Sequence, residues 1–444
     1  MGTIAAAIRT RRIFYGWWIV LVAFIGFTVS AGASAWAFSV LVKPMSQEMG
    51  WTRSEIFSVV TLSSIVSGVA SPIIGRLVDR YGARGVIVVC AIIAGMGLVL
   101  VSQIQPSSAK IVALPLSLFF FMLFFGVMKG MSAPGLSMVG PGAVIANWFV
   151  RRRGRAYALL STGSPVSGMI FPPFVTWVMA ISGWRAAWVI MGAIPLLVLA
   201  PMAWAVVRRR PEDLGLKPDG GEESPNAPER NEKARPQRLR PEEEFTAKEA
   251  LKTRTFWIFT FGFALAGMPG GTIFLHMPSY YTDNGLSAAT AAGLMSVYAF
   301  GALLARGIWG ILAERFPIKV LLVAHALNYS AGIALFLTVG VQSLWLLYPT
   351  VVFLGIGAGG SMQLDSQAWA DFYGRREIGS IMGLWTLFRT GLSSGGPLFA
   401  AIMFDIFKGY TIPFGLFSLL LLVAAGILVF ANPPRKPALV PVAT

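Results

Sequence analysis

Four charged side chains stand well inside long apolar runs of this sequence: Lys129, Arg306, Asp365 and Arg389. A charge in the interior of a bilayer is expensive, so such a residue is functional unless it can reach the headgroups. Three cations against one acid leave an excess of positive charge, and the chemistry this fits is the binding of a small anion. Arg389 is the sharpest candidate. It lies roughly 15 Å into its run at 1.5 Å per residue, near the middle of a ~30 Å hydrocarbon layer. A planar guanidinium there can grip a carboxylate with two hydrogen bonds. The competing reading is a structural pair with Asp365 or with a backbone carbonyl.

Arg306, in Gly301-Ala302-Leu303-Leu304-Ala305-Arg306-Gly307, lies nearer the edge of its run, where it can contact an anion or snorkel. Lys129, in Gly126-Val127-Met128-Lys129-Gly130, is either a third anion contact or a lysine reaching the headgroups. His276, in Phe274-Leu275-His276-Met277-Pro278-Ser279-Tyr280-Tyr281, can carry a proton or bond the substrate, or be a hydrogen-bonded core residue. Tyr280, Tyr281 and Trp36 are weaker pocket candidates, and His325 is read as structural. Asp365, close to the end of its run, fits a gate salt bridge better than a proton carrier.

Other chemistries are disfavoured by what the chain lacks. One cysteine and two histidines leave no disulfide framework and make a metal site improbable. Neither a phosphate loop nor a dinucleotide fingerprint is present, so neither ATP-driven transport nor a bound cofactor is expected. An enzyme would need a nucleophile–base or metal constellation at depth, which these residues do not supply.

The elements that position these residues are membrane helices. Of the 444 residues 55% are hydrophobic and 13% charged, where a soluble domain has about 25% charged. Apolar runs of spanning length fall at 15–41, 54–78, 85–104, 112–147, 156–181, 184–207, 255–281, 287–313, 318–340, 343–370, 378–404 and 409–431. The fourth is too long for one straight crossing, and Pro115, Pro134 and Pro141 point to a re-entrant start or kinks. With both termini on one side, 28 of the 36 basic residues fall on that side and 5 on the other. This is the positive-inside pattern, and it explains the net charge of +16 without nucleic acid. The expected architecture is all-α: a tail (1–14), a six-helix bundle (15–207), a disordered cytoplasmic linker (208–254), a second six-helix bundle (255–431) and a tail (432–444). The linker carries 12 basic and 11 acidic residues and few bulky apolar ones.

The halves echo each other. Gly75-Arg76-Leu77-Val78-Asp79-Arg80-Tyr81-Gly82-Ala83-Arg84 returns as Gly310-Ile311-Leu312-Ala313-Glu314-Arg315-Phe316-Pro317-Ile318-Lys319. Asp79, Arg80, Glu314 and Arg315 are read with Asp365 as gate residues, not ligands. Duplicated halves around a midplane site are a common transporter plan.

At these loops the chain resembles the major facilitator superfamily. A narrower likeness rests on Phe14-Tyr15-Gly16-Trp17-Trp18, on Trp148-Phe149-Val150-Arg151-Arg152-Arg153-Gly154-Arg155, and on the segment from Arg210 to Gly220. These resemble the bacterial branch of the monocarboxylate transporters, which includes the oxalate–formate exchangers. The resemblance implies twelve helices in two pseudo-symmetric bundles and a basic residue in the eleventh span for the anion, which Arg389 matches. It also implies a substrate arginine just before the second glycine–acid loop, which Arg306 matches. The eukaryotic branch has an aspartate one turn earlier, where this chain has Ala302, and the departure leaves proton coupling open.

The expected function is secondary transport of small organic anions, monocarboxylates foremost, by alternating access, as proton symport or as anion exchange. The expected setting is the inner membrane, multi-pass, with both termini cytoplasmic and the protein working as a monomer. The alternatives are a transporter-fold sensor and a facilitator of a different small solute.

Overall fold

The computed structural model describes residues 14–434 apart from 108, 112–113, 138, 150–151, 218, 220–244 and 375–376. The first thirteen residues, the last ten and the middle of the 208–254 linker therefore lie outside the described residues. The chain forms two compact units: one of Met1–Trp51 with Leu62–Asn226, the other of Thr52–Thr61 with Ala227–Thr444. The helix Arg53–Tyr81 thus belongs to both, with its first turns in the second unit.

Among the described residues nine helical runs are long and apolar enough to cross a membrane, and the apolar helices Tyr15–Ala31 and Gly396–Phe407 are shorter. The run Gly154–Val206 is 53 residues long, or about 80 Å of helix, more than twice a ~30 Å core. It folds back at Gly183, whose φ of +76° and ψ of 173° only glycine adopts without strain. Counting it as two, with the two shorter helices, gives the twelve crossings of the sequence analysis.

In the first unit the helical hydrogen bonding widens three times, into π-helical turns at Gly32–Trp36, Met122–Lys129 and Ile194–Leu199. At Gly32 the neighbouring helix packs close, since a Cβ there would lie 2.4 Å from the Phe171 ring. The fourth span begins at Leu116, with Pro115 as its N-cap, and not at 112. Ahead of it stands a two-stranded antiparallel hairpin, Lys110–Ile111 with Leu114–Pro115. Its helix breaks at Ser137 (φ −102°, ψ −126°) and resumes as Val139–Trp148. Pro141 falls in the first turn of the resumed helix, where a missing N–H costs little.

In the second unit the helices Ala288–Arg315 and Leu344–Gly359 approach backbone to backbone. A Cβ on Gly355 would lie 2.3 Å from the Tyr298 carbonyl oxygen, and one on Gly301 2.4 Å from that of Val352. An aromatic core holds one end, where Trp369 packs against Phe256, Phe259, Tyr373 and Trp385.

The described ends of the linker are ordered, which differs from the disorder expected for 208–254. Pro211–Leu214 forms a 3-10 turn, and Ala247–Leu251 forms a helix. Phe245, 2% exposed, joins the aromatic core, and its N–H donates to the Tyr373 carbonyl. The Thr246 and Glu249 side chains cap the short helix reciprocally. The Ala247 N–H also donates to Glu377 at 2.9 Å, and Ala250 is fully buried.

Candidate functional site

Arg389 sits on the helix Ile378–Ser393 and is half-buried. Its guanidinium carbon lies 5.1 Å from the Trp385 ring centroid, one helical turn back. Gly267 on the facing helix Arg254–Asp283 makes the room, since a Cβ there would come within 3.6 Å of the Arg389 Nε. Asp365, on the helix Ser361–Tyr373, is buried and within electrostatic reach of Arg389. Among the described residues the two form no ion pair. Arg389 is thus a cation inside the bundle whose carboxylate neighbour stands back from it.

Arg306 is half-buried on the helix Ala288–Arg315, a different helix of the same unit. Glu314 and Arg315, at the end of that helix, are exposed.

His276 and Tyr280 come together around Tyr410. His276 is 0% exposed and both ring nitrogens are engaged, Nδ1 with the Tyr410 hydroxyl and Nε2 with the Pro397 carbonyl, each at 3.0 Å. A carbonyl oxygen only accepts, so Nε2 carries the proton and Nδ1 of the neutral ring accepts from Tyr410. Phe57 stacks on the imidazole at 4.0 Å. Tyr280, 8% exposed, packs its ring against Phe336, Tyr410 and Phe414. A substrate contact by His276 would have to replace one of these two hydrogen bonds.

Lys129 belongs to the other unit, at the end of the second π-helical turn. At 9% exposure it is buried. Its ammonium donates to Ser63 Oγ over a long 3.4 Å and faces the Phe125 ring at 4.8 Å. It lines a small cavity with Ser30, Ser132 and Ala133. No ion pair to Lys129 occurs among the described residues.

Asp79 and Arg80 are exposed at the end of Arg53–Tyr81. Arg209 donates to the Asp79 backbone carbonyl at 2.7 Å, while the carboxylate has no ion-pair partner among the described residues. Asp365, 6% exposed, is buried, whereas the other four expected gate residues are exposed.

Sequence reasoning passed over Arg53, which it had placed in a loop. Arg53 is buried in the second unit, ion-paired with Asp283, hydrogen-bonded to the Tyr410 hydroxyl and stacked 3.7 Å over the Phe404 ring. Next to it Asp405 accepts from both the Ser54 hydroxyl and, at 2.9 Å, the Ser54 N–H. The available signal was two acids, Asp283 and Asp405, each at the end of a span in a sequence with few acids.

Comparison with known proteins agrees with this architecture. The Major Facilitator Superfamily profile matches residues 22–395 and 282–443. The chain is 25% identical to human monocarboxylate transporter 2 over 406 residues, covering 89% of this chain and 81% of that protein. Among solved structures, a bacterial homologue of the human lysosomal transporter Spinster, inward-facing and occupied, superposes with a TM-score of 0.70 at 16% identity, over 95% of this chain and 97% of that one. A D-xylose–proton symporter gives 0.70 at 15% identity, over 95% and 98%.

Proposed function

The chain belongs to the Major Facilitator Superfamily and is a multi-pass membrane transporter of a small molecule; from that premise we propose that it carries small monocarboxylates by alternating access. The observation that carries the substrate class is Arg389, a half-buried guanidinium inside an apolar helix with no ion-paired carboxylate among the described residues. A cation so placed is stabilised by an anion from solution, and a carboxylate matches its two parallel donors. Arg306 is the second anion contact. Lys129 is a further buried cation, within the first unit. His276 and Tyr280 shape the wall rather than grip the substrate, because the histidine's nitrogens are already in use.

The name of the human relative supports the same class. We place the protein in the inner membrane as a monomer, with both termini cytoplasmic. Asp79, Arg80, Glu314 and Arg315 act in gating. Asp365 tempers the charge of Arg389 when the site is empty.

Uptake of a labelled panel (formate, acetate, lactate, pyruvate and oxalate) into proteoliposomes tests this reading. Uptake of at least one monocarboxylate, competed by others, is expected. Uptake driven by a pH gradient means symport, and uptake only against an internal carboxylate means exchange. Uptake of none of them, by vesicles whose protein is folded, would overturn the substrate class.

A further inference from the structure

The start of the helix Arg53–Tyr81 is held on the second unit by more polar contacts than helix packing requires. Its own first turn is closed by a reciprocal cap, the Thr52 N–H donating to Glu55 Oε2 at 2.8 Å and the Glu55 N–H to Thr52 Oγ1 at 3.2 Å. Asp405 then caps the Ser54 N–H from another helix, placing an anion at the positive end of the helix dipole. Arg53 bridges Asp283 and Tyr410. Tyr410 donates onward to His276, and His276 to the carbonyl of Pro397. Two turns further, Thr61 Oγ1 donates to the Ser394 carbonyl at 3.2 Å.

Ser394 and Pro397 flank the break between Ile378–Ser393, the helix of Arg389, and Gly396–Phe407. Within the second unit, the segment 52–61 therefore meets the rest at two acids and at the hinge next to the candidate anion ligand. Asp283, Asp405 and Tyr410 are polar groups at span ends, which water can solvate when they separate. An apolar contact would not be replaced in this way, and an ion pair deep in hydrocarbon would be too costly to break.

We propose that Arg53 is a latch: its contacts with Asp283 and Tyr410, together with the Ser54–Asp405 contact, hold the first turns of Arg53–Tyr81 on the second unit, and their release is an obligatory step of the transport cycle. Movement of the Ser394–Pro397 hinge when Arg389 takes its anion pulls on the same network through Thr61 and His276. The latch rests on the alternating-access reading but not on the identity of the substrate.

The test uses full-length protein with Cys90→Ala and a reporter Ile56→Cys, a fully buried position three residues after Arg53. Alkylation by a hydrophilic maleimide reads how often the segment leaves its seat. Arg53→Gln, and independently Asp283→Asn, should speed alkylation roughly tenfold, as expected for an opening equilibrium shifted by one lost charged contact. The charge swap Arg53→Asp with Asp283→Arg should bring the rate back toward the parent's, which a merely misfolded single variant would not allow. If both single variants label at the parent's rate, the latch is wrong. If they label faster but the swap does not recover, Arg53 is a packing residue and the proposal also fails. A labelling result as expected in a protein that transports none of the carboxylate panel would sink the substrate class and leave the latch standing.

Discussion

A cation inside an apolar helix is informative at the residue scale because it must be matched by something. Arg389 has a ring one turn back and a carboxylate that stops short of it. Arg389→Ala should lower carboxylate affinity about ten- to a hundredfold, the equivalent of a charge-assisted hydrogen bond worth about 1.5–3 kcal/mol. Arg389→Lys keeps the charge, loses the fork and should fall between, and Arg306→Ala should cost less than Arg389→Ala. Equilibrium binding to purified variants measures all three; unchanged affinity in Arg389→Ala would make that arginine structural. Lys129 gives a prediction of opposite sign for stability and activity. Its ammonium is buried with one long hydrogen bond. Lys129→Met, close in shape and without charge, should therefore hold or raise the unfolding temperature in detergent while transport falls. A stability loss with transport intact would contradict a functional lysine.

The ends of helices carry their own polar locks. Glu48, past the first apolar run, accepts from Trp184 Nε1 at 2.6 Å and pairs with Arg185, whose other nitrogen donates to the Ile104 carbonyl at 2.9 Å. Three connections of the first unit are thereby tied at one point. The hydrogen bonds from Trp184 and Arg185 hold the Glu48 carboxyl below its ordinary value of 4.5. A carboxyl depressed in the folded state stabilises it fully above that ordinary value and ceases to as pH falls through the lower, folded-state value. Thermal unfolding should therefore show a loss of stability below about pH 4.5 that is smaller in Glu48→Gln; identical acid profiles would exclude the lock. At the ordered end of the linker, Thr246→Ala removes a capping box and should free Ala247–Leu251 at a cost of about 1 kcal/mol, seen as faster amide exchange there with the rest of the unit unchanged.

Across the whole molecule, the glycine–acid loops should set rates and leave affinity alone. Asp79 is exposed, and among the described residues its carboxylate forms no ion pair, while Arg209 donates to its backbone carbonyl. Asp79→Ala should slow uptake while leaving carboxylate affinity within about twofold, since exposed charges contribute little to equilibrium contacts. A large loss of binding would move Asp79 into the site. Orientation is the companion prediction: a cysteine at Pro225 should not react with an impermeant reagent added outside intact cells, and ready labelling would invert the assigned topology.

Composition, the spacing of apolar runs and the one-sided arginines determined the class, the number of crossings and the duplicated loops. These are properties of a chain in a bilayer: every backbone group must be satisfied within a helix, so length and hydropathy alone restrict the solutions. They also picked out Arg389, Arg306 and Lys129, because a charge in an apolar run is conspicuous. The places where backbones touch or helices break were less legible. Gly183 turns one 53-residue run into two spans, Ser137 breaks the fourth, and Pro115 starts it four residues late. Such features are decided by dihedral angles and by what lies opposite, neither of which hydropathy records. Partners more than a hundred residues apart were not legible at all. That Arg53 is buried on Asp283 and Tyr410, that both nitrogens of His276 are engaged and that Lys129 is buried follow only from packing. The tertiary structure decides which charges meet and which stay unmatched, because a side chain's partner depends on distance in space, and sequence fixes distance only along the chain.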